Sequence, residues 1–148
     1  MTNITGMSFS AASDGEPFRA PRSLRVVVAD DDRDTTLTLT TLLREEGHEV
    51  RGLHSGRQVI SAVIELEPDV VVLDINLPEV SGWQLASTIR ARGPQTKPLL
   101  IAISGVFTSD ADKRLAQLSG FDHYLVKPYA VEDFLKLLAP LTDPSRNQ

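Results

Sequence analysis

The sequence predicts an α/β fold in which a parallel sheet is covered by helices on both faces. Two patterns carry that reading. Short apolar runs alternate with helical patterns five times between residues 24 and 141. Three of the runs, RVVVA at 25–29, DVVVLD at 69–74 and PLLIAIS at 98–104, are apolar almost throughout. That suits strands buried on both faces better than strands with one wet face. Right-handed crossovers through the helices then give a doubly wound sheet of five strands and five helices.

The elements follow in order. Residues 25–29 form the first strand. Residues 35–46 form a helix with Leu39, Leu42 and Leu43 on one face and Gly47 at its end; its five threonines make it weak on propensity alone. HEVRGL at 48–53 alternates as a short strand. Residues 55–66 form the second helix, with Val59, Ala62, Val63 and Leu66 inward. The strand at 69–74 leads through a loop to a helix at 81–92, with Trp83, Leu85, Ala86 and Ile89 inward and Gly93-Pro94 as its stop. The strand at 98–104 precedes a helix at 109–119 stopped by Gly120. HYLVK at 123–127 is the last strand, and 131–138 the last helix, with Phe134, Leu135 and Leu138 on one face. Residues 1–23 are polar, Gly/Ser/Pro-containing and aperiodic, and read as a disordered tail, as does 142–148.

Composition limits the function. The 148 residues suit one domain. There is no cysteine, hence no disulfide framework, thiolate zinc site or thiol nucleophile. A net charge of −5 argues against a general nucleic-acid surface. No apolar run approaches a membrane span, and the N-terminus lacks a signal-peptide pattern, so the expected location is the cytoplasm.

In a parallel α/β sheet, ligands sit outside the carboxyl ends of the strands. Here the first strand runs into Asp30-Asp31-Asp32, the third ends at Asp74, the fourth at Ser104 and the fifth at Lys127. Each has an ordinary explanation. Asp32 suits a helix N-cap and Asp34 a solvated first helical turn. Asp74 alone would be a loop anchor, Ser104 a polar strand terminus, and Lys127 a surface lysine. Capping uses one side chain, however, and leaves Asp30 and Asp31 unexplained. Carboxylates converging with Asp74 repel one another, and a hard divalent cation with oxygen ligands resolves the conflict. The 1-3-5 spacing of Asp30, Asp32 and Asp34 is not an EF-hand loop, since Thr35 and Thr41 stand where Gly and Glu are needed. His123 reads as a loop-edge surface residue, and His48 and His54 lack metal-ligand spacing.

The pieces VVVADDDRD, VVVLDINLPEVSGWQL, LLIAISG and GFDHYLVKPY together resemble a response-regulator receiver domain of two-component signalling. The resemblance covers 24–141 and implies a flavodoxin-like sheet of order 2-1-3-4-5. It implies that Asp74 is the phosphoacceptor, and that Asp30 and Asp31 hold Mg²⁺ (or Mn²⁺) with Asp74 and the Asn76 backbone carbonyl. Ser104 would be the switch hydroxyl, Lys127 the phosphoryl-pairing lysine, Tyr124 the switch aromatic and Pro128 a cis proline. A histidine kinase or histidine phosphotransfer protein would donate the phosphoryl group. Output would pass by a phosphorelay or through the 109–138 surface to a protein target, with no nucleic acid or membrane partner; a homodimer through the last helix stays open. The chain reads as a stand-alone receiver, a signalling phosphoacceptor rather than an enzyme with a separate substrate. Two features depart from the common pattern. Ser81 stands where many receivers carry Asp, and the small Gly105 after the switch position implies a short-lived phosphoform. GFDHYLVKP is closer to receivers of hybrid histidine kinases than to those of DNA-binding regulators.

Two rival readings compete with this one. DRDTT at 32–36 spells the D-x-D-x-T of haloacid-dehalogenase-type phosphatases, but Asp32 comes two residues late after its strand and no segment suits a cap domain. A degenerate receiver acting as a constitutive binding module is disfavoured by the intact set of Asp30, Asp31, Asp74, Ser104 and Lys127.

Overall fold

A computed structural model describes residues 22–92, 97–105 and 109–142. The Gly93-Pro94 stop and residues 1–21 and 143–148 of the expected tails lie outside the described residues. In chain order the elements are β1 (Arg25–Ala29), α1 (Arg33–Glu45), β2 (Glu49–Leu53), α2 (Val59–Leu66), β3 (Val70–Asp74), α3 (Gly82–Ala91), β4 (Leu99–Ser104), α4 (Asp110–Leu118), β5 (His123–Val126) and α5 (Val131–Thr142). All strand pairs are parallel, and the sheet order is β2-β1-β3-β4-β5.

The apolar strands divide their side chains between two layers, as strand periodicity requires. Val27, Val71, Leu73 and Leu100 pack with Val59, Val63, Leu85 and Ile89 on the face covered by α2, α3 and α4. Val26, Val28, Val72 and Ile101 pack with Leu39, Leu43, Phe134 and Leu138 on the face covered by α1 and α5. Both faces of β1, β3 and β4 are therefore dry, which explains their lack of alternation.

The register fixes where the strands stop. Ala29 pairs with both Leu53 and Leu73, and Asp74 with Ile103. Asp30, Asp74 and Ser104 are thus delivered to one edge, and Lys127 follows the last residue of β5.

Several expectations need correction. The α1 helix starts at Arg33 because the Asp32 carboxylate accepts the Asp34 amide and caps it. Thr36 and Thr40 join Leu39 and Leu43 on its buried face, while Leu42 is only half-buried. The second helix opens as a 3-10 turn, Gly56–Gln58, capped by Ser55. β5 ends at Val126, one residue before Lys127, and His123 opens β5 half-buried. The α5 helix continues beyond Leu138 through Pro140 to Thr142. Proline forfeits a helical hydrogen bond, but Leu141 packs on the core and the Thr142 carbonyl accepts the Arg22 amide at 3.1 Å. Trp83 is half-buried, and its indole N–H is buried with no acceptor among the described residues.

Candidate functional site

The site forms where β1, β3 and β4 end and the chain leaves β5. Asp30, Asp74 and Ser104 are buried, at 1%, 6% and 1% exposure, whereas Asp31 is exposed. One carboxylate oxygen from each of Asp30, Asp31 and Asp74 falls within a 4.8 Å cluster. The sequence-predicted acidic residues do converge.

Local hydrogen bonds aim these side chains. The Asp32 amide donates to Asp30 Oδ1 at 2.9 Å, and the Asn76 amide to Asp74 Oδ1 at 2.9 Å. Each carboxylate is held by the amide two residues on, leaving its Oδ2 toward the cleft. Lys127 Nζ donates to Asp30 Oδ2 at 2.7 Å and to Asp74 Oδ2 at 3.5 Å. The Lys127 amide donates to the Ser104 carbonyl at 2.8 Å, which ties the ammonium-bearing residue to the end of β4. The Lys127–Pro128 peptide is cis.

Burial pushes the Asp30 carboxyl above the usual carboxylate range. The hydrogen bonds from Lys127 and the Asp32 amide oppose this without overcoming it, and the Asp74 charge adds to it. Burial also pushes the Lys127 ammonium down, but the hydrogen bond and charge of Asp30, with the charge of Asp74, outweigh it and hold Lys127 above its ordinary value. Asp30 and Asp74 therefore share one ammonium, with the Asp31 carboxylate beside them. Such a set suits a further cation: hard oxygen donors, partly buried, with Asp31 open to water, match the needs of Mg²⁺.

Three further residues support the site, two of which, Thr36 and His54, sequence reasoning did not place there. The buried Thr36 hydroxyl donates to the Asp30 carbonyl at 3.0 Å, and His54 Nδ1 lies 3.3 Å from the same oxygen. A threonine four residues after a helix cap is a readable signal for back-bonding; the His54 contact spans 24 residues and has none. Gly82 is the third. A Cβ there would lie 2.8 Å from Ile75 Cα and 3.0 Å from the Asp74 carbonyl, so only glycine lets α3 start against the Asp74 backbone. Its amide donates to the Ile75 carbonyl at 2.9 Å.

Asp34 is exposed in the first turn of α1, as expected. Tyr124 is half-buried against the α2–α4 layer. Beside Lys127, a groove of about 580 Å³ runs between α1 and the start of α5, lined by Leu39, Leu42, Tyr129, Val131 and Phe134. Burial pushes the Tyr129 phenol up.

Comparison with known proteins gives the arrangement a context. Residues 26–139 match the model of the response regulator receiver domain. The chain is 32% identical over 120 residues to the transcriptional regulatory protein TcrA of Mycobacterium tuberculosis, covering 80% of this chain and 46% of that protein. It is 34% identical over 111 residues to the DNA-binding response regulator MtrA of Mycolicibacterium paratuberculosis, covering 75% and 48%. The chain thus spans about half the length of the curated relatives it matches. Both are named as regulators of transcription or DNA binding, whereas GFDHYLVKP is closer to receivers of hybrid kinases. Among solved structures, a receiver domain from Bermanella marisrubri superposes with a TM-score of 0.72 at 25% identity, covering 81% of this chain and 98% of that one. A CheY-like receiver from Methanospirillum hungatei superposes with a TM-score of 0.75 at 21% identity, covering 85% and 98%, and speaks to the fold alone.

Proposed function

The chain belongs to the response regulator receiver domain family, and from that premise we propose that Asp74 accepts a phosphoryl group from a phosphohistidine on a kinase or phosphotransfer protein. The observation that carries this reading is the convergence of Asp30, Asp31 and Asp74 with Lys127 at one sheet edge.

The chemistry follows from the positions. An Asp74 carboxylate oxygen attacks phosphorus, the P–N bond breaks and the imidazole leaves with its electron pair. The product is an acyl phosphate. Phosphoryl transfer asks mainly for in-line positioning and charge neutralisation. The Asn76 amide fixes the rotation of the Asp74 carboxylate, and Lys127, already at its Oδ2, is placed to pair with a phosphoryl oxygen. Ser104 would donate to another. Asp30, Asp31, Asp74 and the Asn76 carbonyl would hold Mg²⁺ (or Mn²⁺), which when bound neutralises charge on the phosphoryl oxygens.

In this reading the signal leaves by a two-state change, with Ser104 drawn to the phosphoryl group and Tyr124 repacking inward. The outer face of α4 and β5 exposes Leu115, Leu118 and Val126, a surface suited to a protein target. The reading places the chain in the cytoplasm beside its donor; no helix among the described residues is long and apolar enough to cross a membrane.

The test is phosphotransfer. A labelled phosphohistidine donor protein should pass its label to this chain as a hydroxylamine-labile adduct. Chemical shifts of residues 109–138, Tyr124 included, should move with it. Label that stays on the donor whatever donor is supplied contradicts the first claim, and unmoved shifts in a phosphorylated chain contradict the second.

A further inference from the structure

The loop from Asp74 to Gly82 carries the acceptor and, by the reading above, one metal ligand. Its turn is made in an unusual way. The Val80 amide donates to the Pro78 carbonyl at 2.9 Å, closing a three-residue γ-turn around Glu79. Glu79 sits at φ 76°, a region that costs any residue with a Cβ and suits glycine. A side chain is therefore kept where its absence would relieve strain.

That side chain reaches a different loop. Glu79 Oε1 accepts from the Ser55 hydroxyl at 2.9 Å, and Oε2 lies 3.4 Å from Arg57 Nε. Ser55 also caps the 3-10 turn through the Arg57 amide at 3.2 Å. The two loops also approach closely: a Cβ on Gly56 would lie 3.1 Å from the Val80 carbonyl oxygen. The Arg57 contact is exposed on both sides, so it contributes little. The Ser55 hydrogen bond is exposed as well, but at 2.9 Å it is the shorter contact and Ser55 itself is half-buried.

We propose that Glu79 is a positioning residue that latches the acceptor loop to the turn after β2 through Ser55, and so holds Asp74 and the Asn76 carbonyl in place for the metal. This rests on the functional reading above. Glu79 touches neither metal nor phosphoryl group; it acts through the loop backbone. Outer residues that orient ligands commonly tune metal affinity.

The test compares Glu79→Gly, Glu79→Gln and Ser55→Ala in the full chain. Glu79→Gly relieves the backbone and should unfold no more easily than wild type, yet its Asn76 and Val80 amides should exchange faster in metal-free protein. Its Mg²⁺ affinity by calorimetry should fall by about tenfold. Glu79→Gln keeps an acceptor for Ser55 and should stay near wild type. Ser55→Ala should weaken Mg²⁺ binding in the wild-type background and not in Glu79→Gly, a coupling that merely additive structural damage would not show. Wild-type Mg²⁺ binding with unchanged affinity and exchange in Glu79→Gly overturns the proposal alone. A wild-type chain that binds no Mg²⁺ contradicts the functional reading and takes this proposal with it.

Discussion

At the scale of single residues, the site is a balance of charges. Asp74 stands in a 4.8 Å cluster with two further carboxylates and 3.5 Å from one ammonium, so like charges outnumber opposite ones around it. A full unit pair at this range is worth about 4 kcal/mol at an effective dielectric of 20, and the exposure of Asp31 reduces that considerably. Asp74→Asn keeps an oxygen to accept the Asn76 amide. In EDTA it should therefore raise stability to urea by about 1 kcal/mol, while removing the proposed nucleophile. A destabilised Asp74→Asn would mean that Lys127 already balances the cluster. Gly105 makes a second case. It is exposed, and among the described residues a Cβ there would meet only Lys127 Cδ, at an ordinary 3.5 Å. Gly105→Met should fit and hinder water. We expect the phosphoform half-life to lengthen by about threefold, roughly 0.7 kcal/mol in barrier. An unchanged decay rate would show that water reaches the acyl phosphate by another route.

At the scale of elements, polar side chains decide how the strands are anchored. His48, in the turn between α1 and β2, accepts the Leu24 amide on Nδ1 at 3.0 Å and so ties down the start of β1. Burial holds its imidazole below its ordinary value, against a weaker upward pull from Glu46. A depressed histidine contributes stability that is present above the unfolded value of about 6.5 and lost as pH falls through the folded one. The urea midpoint should therefore drop on acidification from about pH 7.5 to 5.5. His48→Gln, which still offers an acceptor, should drop less over that window; equal drops would assign the loss to other groups. Arg90 does similar work at the far end. It donates to the Gly120 and Pro98 carbonyls and to Asp122, which also accepts the Leu100 amide. In the sequence Arg90 is merely a basic residue late in a helix, because all its partners come from other elements.

At the scale of the whole molecule, the sheet was legible because burial on both faces leaves a strong mark. Three strands without alternation can only be central, and the polar residue closing each one then has to share an edge. The shared edge of Asp30, Asp74 and Ser104 follows from that logic, and Lys127 joins it from the end of β5. What local pattern could not supply was long-range: His54 at the Asp30 carbonyl, the Glu79 bond to Ser55, and the two residues of α5 beyond Pro140. Those depend on which loops meet, and proline chemistry argues for the opposite of what α5 does. Gly82 lies between: its presence in the loop was visible, but its reason, the approach of α3 to the Asp74 backbone, is a tertiary fact. In the proposed reading the same architecture, with the acidic edge at the strand ends and α4 and β5 beside it, would carry chemistry at Asp74 to that surface.

The claim on which all of this turns is that the acidic edge is a metal-assisted phosphoacceptor centred on Asp74. The most direct measurement is the intact mass of the chain after incubation with a small-molecule phosphoramidate donor, with Mg²⁺ or with EDTA, for wild type and Asp74→Asn. The account predicts one added phosphoryl group on the wild-type chain with Mg²⁺, and none in EDTA or in the variant. An unmodified wild-type chain, or an adduct that survives in Asp74→Asn, would contradict it.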